Sequence, residues 1–104
     1  MDFADQVIQL TENLNTDKNH FRLIEQLESS CASVAQNIAE GKGRHTDREF
    51  IQFLYFSRAS LYETTTLLNL FQKRKWISDI TLEKLEEMAF EIVSMIKGLI
   101  NSLK

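Results

Sequence analysis

The sequence predicts an all-α protein, an antiparallel up-down-up-down four-helix bundle. Three observations carry that prediction. The 104 residues include no proline and only three glycines, apolar residues return at intervals of three and four over long stretches, and the breaks between those stretches are short. Hydrophobic residues make up 43% and charged residues 26% of the chain, the composition of an ordinary globular domain. A chain of this length supports a single domain, residues 1–104, around one modest core.

The first helix is expected over about Asp2 to Leu14, with Phe3, Val7, Ile8 and Leu10 on one stripe, and Asn15-Thr16-Asp17 as its polar end. The second runs from about Lys18 to Glu40, where Phe21, Ile24, Leu27, Cys31, Val34, Ala35 and Ile38 mark the inner face. Its later half, Ser29 to Ser33, carries only small side chains, which let a facing helix come close. Gly41 and Gly43 then suit a helix ending on a left-handed glycine.

Thr46-Asp47-Arg48-Glu49 has the Thr-x-x-Glu form of a capping box, so a third helix is expected from Asp47 to about Lys75. Phe50, Leu54, Leu61, Leu67, Leu68 and Phe71 form its inner stripe. Phe53, Tyr55, Phe56 and Tyr62 lie outside that stripe, more aromatic surface than one face of a small bundle hides. Such an excess predicts self-association. The cations Lys73, Arg74 and Lys75 suit the negative end of the helix dipole. A fourth helix follows from Thr81 to Leu103, strongly amphipathic from Leu82 to Ile100.

The chemistry of a catalytic or metal site is not recognisable. A di-iron bundle needs Glu-x-x-His pairs on facing helices, whereas this chain has only His20 and His45, both expected at exposed helix boundaries. Gly41-Lys42-Gly43 lacks the spacing of a phosphate-binding loop. Cys31 is the only cysteine, which rules out an internal disulfide and fits a small core residue in a reducing, cytoplasmic compartment. No catalytic residue, metal ligand or cofactor is expected, and no segment has the length of a membrane span. Glu83, Glu86, Glu87 and Glu91 read as a solvated face near a helix start. Glu63, amid Leu61, Tyr62, Thr64 and Thr65, calls for a partner if buried, with Arg44 and Arg58 as the candidates.

The net charge is −3, yet it is unevenly spread: residues 42–75 hold seven bases against three acids. Lys42, Arg44 and Arg48 at one end of the third helix, and Lys73, Arg74 and Lys75 at the other, are therefore the residues that RNA or a ribonucleoprotein would meet. The acidic whole weighs against that reading.

Ser33 to Arg44, SVAQNIAEGKGR, followed by EFIQFLYFSRASLYET, resembles the 23S rRNA-intervening-sequence family of four-helix bundles. The resemblance rests on Asn37, Ile38, Ala39, Glu40, Gly41, Gly43 and Arg44, then on Phe53, Leu54, Ser60 and Glu63. Ser57 and Ala59 stand where the family pattern has alanine and glycine, and the first helix is shorter than the family's. The resemblance implies assembly as a ring, a homopentamer, with Asn37, Glu40, Arg44 and Glu63 holding the turn against the third helix or a neighbouring subunit. It also implies kinship with a branch of nucleic-acid-binding accessory proteins. The resulting expectation is a non-catalytic, oligomeric scaffold, with RNA binding as the alternative.

Overall fold

Four helices account for nearly all of the residues 2–14 and 20–104 that the computed structural model describes. They are α1 (Asp2–Glu12), α2 (Phe21–Lys42), α3 (Asp47–Lys73) and α4 (Asp79–Leu103). Each packs only against its neighbours in a closed square, α1 on α2, α2 on α3, α3 on α4 and α4 back on α1. The short links make successive helices antiparallel, giving a molecule of 46 × 23 × 18 Å. The expected polar end of the first helix, residues 15–17, and the expected start of the second at Lys18 lie outside the described residues.

The two best-defined starts are set by side-chain caps. Thr46 Oγ1 accepts from the Glu49 amide at 3.1 Å, as the capping pattern predicts. The Glu49 carboxylate accepts from the threonine hydroxyl at 3.1 Å, where the reciprocal box would have it reach the Thr46 amide. Ser78 Oγ likewise accepts from the Thr81 amide at 3.1 Å, so α4 starts at Asp79, two residues before the sequence expectation.

The helix ends correct the glycine reading. α2 runs through Gly41 to Lys42, and none of the glycines has a positive φ. Among the described residues only Lys75 is left-handed, φ 64°. There the Trp76 amide donates to the Phe71 carbonyl and the Lys75 amide to Gln72, both at 2.9 Å, the two bonds of a Schellman stop. α3 thus ends at Lys73, and Lys75 takes the backbone position that glycine usually fills.

Gly41 serves packing instead. An added Cβ would stand 2.7 Å from Phe50 Cδ1 and 2.9 Å from Phe53 Cβ, so only hydrogen fits where the end of α2 meets α3.

The core falls into two clusters. Phe3 and Val7 of α1, Leu27, Cys31 and Val34 of α2, Leu61, Leu68 and Phe71 of α3, and Leu82, Leu85 and Ala89 of α4 make the larger one. Leu54, Ile96 and Ile100 make the smaller, edged by Ile38, Phe50 and Leu103. With only 11 residues, α1 spans about 17 Å and reaches the first cluster alone. The end of the bundle that carries the α2–α3 turn is therefore built from three helices.

Candidate functional site

The signature residues lie along the seam between α2 and α3. Small side chains bring these helices together, and their hydroxyls are then paired across the contact. Ser57 Oγ donates to the Val34 carbonyl at 2.7 Å, Ser30 Oγ meets Thr64 Oγ1 at 2.9 Å, and Ser33 Oγ meets Ser60 Oγ at 2.8 Å. Asn37 Nδ2 donates to both the carbonyl and the hydroxyl of Ser33, at 2.8 and 2.9 Å. Asn37 and Ser60 are thereby joined through Ser33. Every buried side-chain polar atom among the described residues has a partner, as a polar seam at a close helix contact requires.

At the turn, Arg44 Nη2 donates to Glu40 Oε1 at 3.0 Å while its guanidinium carbon lies 4.6 Å from the Phe53 ring centre. The residues expected to hold the turn thus include a real pair, but it is exposed and worth about 1 kcal/mol or less. Gly43 is exposed, and a Cβ there would meet nothing nearer than the Glu40 carbonyl at 3.6 Å.

Glu63 departs from expectation. It is exposed and accepts from Gln26 Nε2 at 3.1 Å, beside a shallow groove that includes Arg22, Ser29, Ser33 and Ser60. Within one protomer neither proposed cation reaches it: Arg44 holds Glu40, and the Arg58 guanidinium stacks 5.0 Å from the Tyr55 ring centre. His20 departs as well, half-buried with its ring 4.3 Å from that of Trp76, whereas His45 is exposed.

Cys31 is fully buried, and its thiol donates to the Glu28 carbonyl at 3.2 Å. Burial, with a smaller contribution from the Glu28 charge, pushes the thiol up to about 11. It is thus a protonated core group, the opposite of an activated nucleophile.

The six basic residues Lys42, Arg44, Arg48, Lys73, Arg74 and Lys75 are all exposed, but the structure does not bring them together. Three sit at the α2–α3 turn among Glu40, Asp47 and Glu49. The other three sit at the opposite end of α3, a helix of 27 residues and about 40 Å.

Of the aromatic residues outside the inner stripe, Phe53 and Tyr55 are half-buried, while Phe56 is 46% and Tyr62 52% exposed. Leu70, 38% exposed, adds a third apolar side chain to the outer surface of α3. The sequence reading missed a second apolar surface on α4, where Phe90 is 72% exposed. Phe90 and Leu82 lie in an open groove of about 750 Å³ bordered by Glu83, Glu86, Glu87 and Glu91. An aromatic off the inner stripe and flanked by four glutamates was the available signal. Only Asp79 falls in the first turn of α4, so the helix dipole, which acts within one turn, does not account for those glutamates.

Among the described residues, no helix is long and apolar enough to cross a membrane. A search of curated proteins finds no match. Among solved structures, the chain is similar to a protein of unknown function from the S23 ribosomal protein family of Bacteroides thetaiotaomicron, with a TM-score of 0.88 and 23% identity over 95% of this chain and 92% of that one. That likeness establishes the fold. The model of the 23S rRNA-intervening sequence protein family matches residues 1–98, nearly the whole bundle, and the chain belongs to that family.

Proposed function

We propose that this protein is a non-catalytic interaction module that works as a homo-oligomer, a ring of five copies in the cytoplasm. The observation that carries the reading is the apolar surface left uncovered by the bundle: Phe56 and Tyr62 on α3, and Phe90 on α4. A monomer gains nothing from exposed aromatics, whereas an interface core is enriched in them. The free, buried thiol of Cys31 supports a reducing compartment. Seam residues Asn37 and Ser60, and turn residues Glu40, Gly41 and Arg44, serve this role by fixing the frame that carries the exposed aromatics.

A second reading is RNA binding. Exposed cations at both ends of α3 favour it, and a ring would repeat each weak patch around its circumference. Native mass spectrometry of the protein recovered from its own cells without nuclease treatment tests both readings. Five copies with no added mass support the scaffold, and a monomer refutes it. A complex that carries RNA, lost steeply as salt rises, favours the second reading.

A further inference from the structure

Two surfaces at one end of the bundle are complementary. The first is the groove around Phe90, apolar at its centre and acidic at its border. Among the described residues, none of Glu83, Glu86, Glu87 and Glu91 is in an ion pair. The second lies on the outer side of the last turns of α3. There Leu70 is 38% exposed, a shallow cavity of about 540 Å³ opens beside Thr66, Leu67 and Lys73, and Arg74 and Lys75 follow in the turn. These cations also have no ion-pair partner among the described residues.

We infer that the acidic groove around Phe90 docks the Leu70–Lys75 end of α3 from a second copy of this chain, an inference that rests on the self-association proposed above. Charge complementarity selects the occupant: a negative border around an exposed ring fits an exposed leucine flanked by cations, and this chain carries one in Leu70 with Lys73 and Arg74. Height along the bundle favours the same occupant. Residues 74–78 join the two elements, and Glu83 to Glu91 stand only about 6–18 Å further along α4 at 1.5 Å per residue. Two parallel copies side by side therefore meet groove to cation with an axial shift of about 10–12 Å, a fraction of the 46 Å bundle. The contact uses different patches on the two copies, and such a contact closes into a ring when its rotation divides the circle.

The test measures mass and assembly midpoint by light scattering and native mass spectrometry, at low and raised salt. The variants are Glu86→Lys with Glu87→Lys, Lys73→Glu with Arg74→Glu, Phe90→Ala, and a chain carrying all four charge reversals. Circular dichroism checks that each stays folded, which the exposure of every altered side chain favours. Each two-site reversal and Phe90→Ala are expected to raise the assembly midpoint about tenfold or more, and the fourfold reversal to restore it. Raised salt is expected to weaken the wild-type contact.

Folded reversal variants with wild-type mass and midpoint overturn this inference while leaving self-association standing. So does a fourfold reversal that stays dissociated. Loss of bound RNA from Lys73→Glu/Arg74→Glu with the mass per ring unchanged also overturns it, assigning those cations to nucleic acid. A monomeric wild-type chain overturns both readings.

Discussion

Replacing a glycine by alanine inside a helix normally stabilises it by up to about 1 kcal/mol, because alanine loses less backbone freedom on folding. Gly41 and Gly98 both lie within helices, yet opposite outcomes are expected. At Gly98 an added Cβ meets nothing within 4 Å, so Gly98→Ala keeps the helical gain of about 0.5–1 kcal/mol. At Gly41 the methyl stands 2.7 Å from the Phe50 ring and 2.9 Å from Phe53 Cβ. The ring can rotate away, but Phe53 Cβ moves only with the α3 backbone. The Phe53 ring also lies beneath Arg44 and packs edge-on against Phe56. Overpacking of this kind costs about 1–3 kcal/mol. After the helical gain of about 0.5–1 kcal/mol is subtracted, Gly41→Ala is expected to destabilise by up to about 2.5 kcal/mol.

An unfolding entropy of about 2.1 cal/mol/K per residue makes 1 kcal/mol worth about 4–5 °C in a chain of this length. Thermal melts followed by circular dichroism, at one concentration and with the assembly state checked for each variant, should show a fall of up to about 11 °C for Gly41→Ala. A rise of about 2–5 °C is expected for Gly98→Ala. If Gly41→Ala melts above the wild type, the close approach of α2 and α3 at the turn is not what the glycine serves.

Cys31 predicts a pH effect with a definite sign. Below the ordinary thiol value of 9.0, folded and unfolded chains both keep the proton and the thiol leaves stability unchanged. Between 9.0 and about 11 the unfolded thiol ionises while the folded one does not, so stability falls as pH rises. The urea midpoint of the wild type should therefore drop more steeply from pH 8 to 10.5 than that of Cys31→Ala, and parallel curves would sink the idea. The Ser30–Thr64 contact predicts coupling: Ser30→Ala and Thr64→Val should each lose about 1 kcal/mol, and the double variant less than their sum by about 0.5 kcal/mol or more. Additive losses in a denaturant double-mutant cycle would show that the two hydroxyls act separately.

Much of this architecture is legible in the chain because it depends on local spacing. The inner stripe of α3, from Leu54 to Phe71, is buried as its period requires, and Thr46 caps the helix that its pattern announces. Ser78, which caps α4, is an equally local signal, but the apolar rhythm begins later, at Leu82. Gly41 was misread for a physical reason: a glycine that frees φ and one that leaves room for a ring look alike in sequence. Lys75 is not announced by a glycine; the contact of Trp76 with Phe71, across the helix stop, holds an unfavoured residue in a left-handed turn. The partners of Glu63 and Arg44 depend on the rotation of each helix, which spacing alone leaves open. Phe90 is outside what the amphipathic rhythm specifies, since that rhythm marks the inward residues and Phe90 faces outward.

The hydroxyl seam has a consequence for alignment. Apolar contacts have no direction, so leucine stripes on two antiparallel helices tolerate sliding. Hydroxyl contacts at 2.7–2.9 Å do not. Moving α3 along α2 by one turn, about 5.4 Å, would carry Ser57, Ser60 and Thr64 away from their partners, and each buried hydroxyl stranded that way costs about 1–3 kcal/mol. The seam therefore works as a ruler more than as an adhesive. It sets the height of the α2–α3 turn against the far end of the bundle, and with it the level at which every outward-facing side chain is presented to a neighbour.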